Sequence, residues 1–162
     1  QSSNETTLPP SFSLSTIPNN LKLIGDVNFF LSYPESFIDD NGNEVFPDNA
    51  NLLIAELEIM LADETYRGKG YSKTVIQSMM TYAIRTFGKT LDEFIVKIGA
   101  DNYVSLGLFK KLGFIEKEYV DCFREYTFII KVDDVINSEW FGSCSEGGVR
   151  VVPFSEEDGG GK

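Results

Sequence analysis

The chain has 162 residues, 42% hydrophobic and 13% aromatic, with a formal charge of −11. That length and composition suit one globular domain with a real core and exclude a disordered chain. With no histidine anywhere in the sequence, Ser-His-Asp and Cys-His catalysis and every imidazole-based acid–base scheme are excluded.

The charge is uneven. Residues 1–50 hold one basic and seven acidic groups, residues 51–130 ten and eleven, and residues 131–162 three and seven. The acidic excess therefore belongs to the flanks. It argues against a nucleic-acid partner and leaves a balanced centre able to hold an anionic ligand locally. No stretch approaches the roughly 20 apolar residues of a membrane span. The start, Gln1-Ser2-Ser3-Asn4-Glu5, has no basic-then-apolar signal pattern, so the expectation is a soluble, cytoplasmic protein without a membrane partner. The two cysteines, Cys122 and Cys144, are too few for a secreted disulfide framework, and no further Cys or His ligands accompany them, so no metal site is expected.

In chain order, residues 1–20 are dominated by Ser, Thr, Pro and Asn and read as a linker or long loop. Leu21, Leu23, Val27, Phe29 and Leu31 then alternate with Lys22, Asp26, Asn28 and Ser32, the period of a half-buried strand, interrupted at Gly25. Glu35 to Asn51 is an acidic, turn-rich connection. Asn51 to Leu61 returns to strand, with Leu53, Ala55, Leu57, Ile59 and Leu61 on one face and Glu56, Glu58 and Met60 on the other. From Lys69 to about Phe87, the residues Val75, Ile76, Met79, Met80, Ala83, Ile84 and Phe87 draw one helical stripe, stopped at Gly88. Phe94 to Ile98 is a short apolar strand, Asn102 to Leu112 a helix ended by Gly113, and Phe114 to Glu118 with Cys122 to Val132 a final strand pair. The order strand, helix, strand, helix, strand, strand predicts an α/β (α+β) sandwich, one sheet covered by helices. Residues 133–162 turn acidic and Gly-rich and read as a poorly ordered tail.

Arg67-Gly68-Lys69-Gly70 stands between a hydrophobic strand and an amphipathic helix. Backbone N–H groups converge at a helix N-terminus and the macrodipole favours an anion there, while Arg67 and Lys69 add cations suited to phosphate oxygens. A Gly-x-Gly alone is compatible with an ordinary turn. The segment lacks the Gly-Lys-Ser/Thr ending of a Walker loop and the third glycine of a dinucleotide loop, and no kinase motifs follow it. What remains is a pyrophosphate cradle of another type.

That segment resembles the GNAT acetyltransferase pattern Arg/Gln-x-x-Gly-x-Gly/Ala, carried here by Arg67, Gly70 and Ser72. Asn102-Tyr103-Val104-Ser105, followed by Phe109-Lys110-Lys111-Leu112-Gly113-Phe114, resembles the same family's second signature. Leu23 to Asn28, Glu56 to Met60 and Lys97-Ile98-Gly99 are similar to the N-acetyltransferase 9-like branch. The resemblance covers roughly residues 21–131, making 21–132 a partial acetyltransferase domain. Relatives carry a strand, two helices and another strand ahead of the segment matching residues 21–33, so a fragment is expected.

The resemblance implies acetyl-CoA as co-substrate. By the same resemblance, backbone near Met60 and Leu61 is expected to polarise the thioester carbonyl and pair with the pantetheine arm, Arg67, Gly68, Lys69, Gly70, Tyr71 and Ser72 to hold pyrophosphate, and Asn102 to bond the pantetheine. The family's Tyr general acid is replaced by Phe109, with Tyr103 and Tyr126 as weakly supported substitutes that are equally compatible with structural roles. For the base, the residues offer Glu58 or Glu56, whose shared face is equally compatible with solvated carboxylates. The expected reaction is acetyl transfer to an amine, most simply the α-amino group of a protein or peptide; the alternative is a non-catalytic acyl-CoA-binding or scaffold domain.

Overall fold

The computed structural model describes residues 24–142. In chain order they form β1 (Gly25–Ser32), β2 (Phe37–Ile38), β3 (Glu44–Val45), β4 (Leu53–Leu61), α1 (Tyr71–Phe87), β5 (Leu91–Gly99), α2 (Tyr103–Lys111), β6 (Ile115–Val120), β7 (Glu125–Lys131) and α3 (Val132–Ile136). Five strands make one sheet in the order β1-β4-β5-β7-β6, and β2 and β3 pair as a separate small hairpin. Only the β4–β5 contact is parallel; β1–β4, β5–β7 and β6–β7 are antiparallel. The mixed sheet with covering helices is the α/β (α+β) architecture that the sequence implies.

Period two decides the faces of β4. Ala55 and Leu57 are buried, and in register across β1 stand Leu31 and Phe29. Phe29 meets Tyr82 and Phe87 of α1 edge-on or tilted, with ring centroids 6.3 and 6.0 Å away, so α1 covers this face. Ile76, Met80, Ala83 and Ile84 supply the helix side of the contact. Phe94, Phe109 and Phe128 are the largest fully buried side chains of the same core, and each buried aromatic contributes about 1.5–3 kcal/mol through removal of apolar surface from water. Glu56, Glu58 and Met60 point to the opposite face, together with Phe30, Asn28 and Asp26 across the ladder.

Two elements run past the expected bounds. β5 begins at Leu91 rather than Phe94 because Glu93, 5% exposed, is paired with Lys131 at 2.7 Å. A buried carboxylate is tolerable only with such a partner. Beyond Val132, where the sequence suggests a tail, α3 carries a fully buried Val135, and Trp140 and Phe141 pack partly buried against the core. Residues 133–142 are therefore folded, and five residues of helix are simply too few to display a period. Cys122 is exposed and free; Cys144, the 1–20 linker and the tail from 143 lie outside the described residues.

Candidate active site

The parallel pair β4–β5 is joined only at its beginning. Its register runs from Leu53↔Leu91 to Glu56↔Ile95 and stops there, although β4 continues to Leu61 and β5 to Gly99. The outer edges of both strands stay paired to the end, Leu61 with Gly25 and Gly99 with Glu125. The two strands therefore fork, and their inner edges beyond Glu56 and Ile95 have no ladder partner. Unpaired backbone groups seek a hydrogen-bonding ligand or water. A cleft of about 410 Å³ fills the fork, lined by Asp26, Leu57 to Met60, Val96 to Gly99, Asn102, Ser105 and Phe109.

At the far end of β4 the chain turns through a short 3₁₀ segment, Glu64–Tyr66, into the glycine-rich turn. Gly68 and Gly70 hold φ of +72° and +86°, the left-handed region in which a side chain is strained. A Cβ at either would meet nothing within 4 Å, so the space in front of both is open. Gly70 is also the N-cap of α1 and offers no side-chain hydrogen bond, which leaves the first-turn N–H groups of α1 without a side-chain cap. The contrast with α2 is instructive. There Asn102 Oδ1 accepts from Ser105 N at 3.1 Å and closes the helix start. An uncapped N-terminus facing open space is a fitting cradle for phosphate.

The remaining expected site residues fall as follows. Arg67 is turned back on its own loop: its Nε donates to Leu61 O at 2.9 Å and its Nη1 pairs with Glu64 at 3.2 Å. It braces the turn against the end of β4 and occupies the Leu61 carbonyl. Lys69 places its ammonium 5.6 Å from the centre of the Tyr66 ring, and Tyr66 lies 5.8 Å from Tyr71. Ser72, the second residue of α1, is half-buried. Met60 lines the cleft, and Asn102 does so with its acceptor oxygen committed to the α2 cap, leaving its amide nitrogen to donate.

The two candidate bases separate. Glu56 Oε2 accepts from Lys97 Nζ at 2.9 Å, across the base of the fork. That hydrogen bond, against partial burial, holds the Lys97 ammonium above the ordinary lysine range. Glu58 lines the cleft, exposed and with no partner among the described residues. Phe109 also lines it but is 1% exposed, its ring edge-on to Phe114 at 5.1 Å, which is a packing role. Neither Tyr103 nor Tyr126 is among the lining residues; Tyr126 stacks on Tyr119 at 4.7 Å. Residue-by-residue reading gave no role to Asp26, Lys97 or Ser105, each of which lines the cleft. Lys97 left a signal, a single cation interrupting the apolar run from Phe94 to Ile98.

A forked sheet followed by an open, glycine-turned helix N-terminus is an arrangement suited to a phosphorylated ligand with a slender arm. Residues 12–115 match the family described as acetyltransferase (GNAT) domain, and the chain belongs to the GNAT acetyltransferase family. It is 36% identical over 105 residues to the N-acetyltransferase 9-like protein of Nematostella vectensis, covering 65% of this chain and 44% of that one. To the alpha/beta-tubulin-N-acetyltransferase 9 of Drosophila melanogaster it is 37% identical over 105 residues, 65% and 46% of the two chains. Against the N-acetyltransferase 9-like protein of Caenorhabditis elegans, the identity is 33% over 133 residues, 82% and 60%. The chain thus spans about half the length of the curated relatives it matches. Among solved structures, a GNAT-family acetyltransferase from Bacillus anthracis shares the fold with a TM-score of 0.50 at 18% identity, covering 72% of this chain and 63% of that one.

Proposed function

We propose that the chain forms the acetyl-CoA-binding half of an N-acetyltransferase acting on the α-amino group of a protein or peptide. The observation that carries this is the fork of β4 and β5 together with the uncapped N-terminus of α1, which follows β4 through a turn that Arg67 ties back to the Leu61 carbonyl. Two ligand needs are met at once: N–H groups and open space for a pyrophosphate, and unpaired strand edges for an amide-bearing arm. Members of the family named after tubulin support a protein acceptor over a small amine.

Acetyl-CoA supplies the acetyl group as a thioester. Gly68 to Ser72 hold the diphosphate, the free edge of β4 from Leu57 to Met60 pairs with the arm, and the Asn102 amide donates to it. Glu58, free at the cleft, takes a proton from the acceptor amine directly or through one water. Glu56, engaged by Lys97, is not available for that task without breaking an ion pair.

The second reading, a non-catalytic acyl-CoA-binding domain, is favoured by Phe109, which puts a buried ring where the family places its proton donor. Thiol release from acetyl-CoA, measured with a panel of peptides bearing free amino termini beside spermidine, separates the readings. Turnover with the peptides supports the proposal, turnover with spermidine alone redirects it to small amines, and calorimetric binding with no turnover supports the binding domain.

A further inference from the structure

Among the described residues Lys97 is the one cationic side chain lining the cleft, whose other charged lining residues are Asp26 and Glu58. It stands two residues past the last β4–β5 pair, on the same face as Glu56, and its Nζ is held 2.9 Å from Glu56 Oε2. The ion pair therefore bridges the two strands where they part. Both side chains are partly shielded, Lys97 46% and Glu56 26% exposed, so the ammonium is fixed in place while still facing the cleft. Glu118 of β6 and Glu125 of β7 also act on it electrostatically. On the other side of the fork the buried Phe109 ring offers no proton. Ser105, the one hydroxyl-bearing lining residue among those described, is a far weaker acid than a thiol; it can donate a hydrogen bond to a thiolate but cannot protonate it.

We infer that Lys97 is the charge-stabilising group of acyl transfer: its fixed ammonium offsets the negative charge that reaches the departing coenzyme sulfur, so that the sulfur leaves as a thiolate. This rests on the acetyl-CoA reading above. The amine nitrogen forms the new C–N bond with its lone pair, and the carbonyl π electrons move to oxygen and return as the C–S bond breaks. The sulfur departs with that bonding pair, and the amine proton passes to Glu58 and on to water. Lys97 keeps its proton throughout and acts only by its field, which a preorganised cation does without reorganisation. Glu56 is then an anchor for Lys97 rather than a base.

The test uses free coenzyme A as probe and needs no acceptor. The thiol of bound coenzyme A is titrated by thiolate absorbance on the chain, on Lys97→Met, on Lys97→Gln and on Lys97→Arg, with calorimetry to establish binding and thermal melting to establish folding. The expected result is a thiol that titrates about one unit higher in the Met and Gln variants, about tenfold less thiolate at a given pH. Lys97→Arg should stay close to the parent, and all the variants should melt near it. Coenzyme A bound by the parent and by either neutral variant with the same thiol titration would overturn the role of Lys97 alone. No binding of coenzyme A to the parent chain would overturn the acetyl-CoA reading, and this inference with it.

Discussion

Glu56 Oε2 lies 2.9 Å from Lys97 Nζ, whereas Glu58, two residues further along the same strand, has no partner among the described residues. One carboxylate is engaged and the other free, although the sequence presents them as equivalents. Glu58→Gln should lower kcat for peptide acetylation by about 10²-fold, at the lower end of what a general base contributes, with KM for acetyl-CoA nearly unchanged. Glu56→Gln should cost less than Glu58→Gln. Steady-state thiol release checks the ranking, and the opposite order would assign the base to Glu56.

The pair Asp92–Lys131 sets an acid limit on stability. Partial burial opposes the charged form of Asp92, but hydrogen bonds from Lys131 at 2.8 Å and from Asn49 outweigh it and hold the carboxyl below its usual range. A depressed folded value means that the stabilisation is present above the unfolded value of about 3.9 and is lost as pH falls through the folded one. Melting temperatures between pH 5 and pH 2 should therefore drop more steeply for the parent than for Asp92→Asn. Parallel curves would show that Asp92 contributes nothing to the acid limb.

β1 and β4 approach closely where Gly25 pairs with Leu61. A Cβ on Gly25 would overlap Met60 O and sit 2.9 Å from Leu61 Cα. Gly25→Ala must push β4 aside, and overpacking of this kind costs about 1–3 kcal/mol. Urea unfolding should show that loss, and calorimetry should show weaker acetyl-CoA binding, because the displaced backbone is the arm-pairing edge. A parental midpoint and affinity would mean that the strands separate without consequence.

α3 supplies a direct test of where the fold ends. Val135 is fully buried, so Val135→Ala should destabilise by about 1–3 kcal/mol through lost burial and the cavity left behind. A substitution in a solvated tail would change the unfolding midpoint by a few tenths at most.

Features carried by local period were legible in the sequence. The alternation on β4, the stripe of α1, its stop at Gly88 and the helix following Asn102 all depend on neighbours a few residues apart. The glycine turn was legible too, because Gly68 and Gly70 need positive φ and stand before an apolar helical stripe. Features made by distant residues were not. The Glu56–Lys97 pair joins positions 41 residues apart, and the fork of β4 and β5 is a property of register that neither strand declares alone. The start of β5 was hidden because Asp92 and Glu93 interrupt the apolar run, and only the folded chain brings Lys131 to both. Arg67 was expected to face the ligand; a carbonyl six residues back, Leu61 O, receives its Nε instead.

Calorimetry on Gly70→Glu is the sharpest probe of the turn before α1 as the seat of the acetyl-CoA diphosphate. Gly42→Glu, at φ of +81° in the distant β2–β3 hairpin, carries the same backbone strain and added charge and serves as the control. A diphosphate seat there requires that the parent and Gly42→Glu bind acetyl-CoA, while Gly70→Glu loses at least about 100-fold in affinity through a side chain and a negative charge placed in the anion cradle. Parental affinity in Gly70→Glu, or an equal loss in both variants, would contradict it.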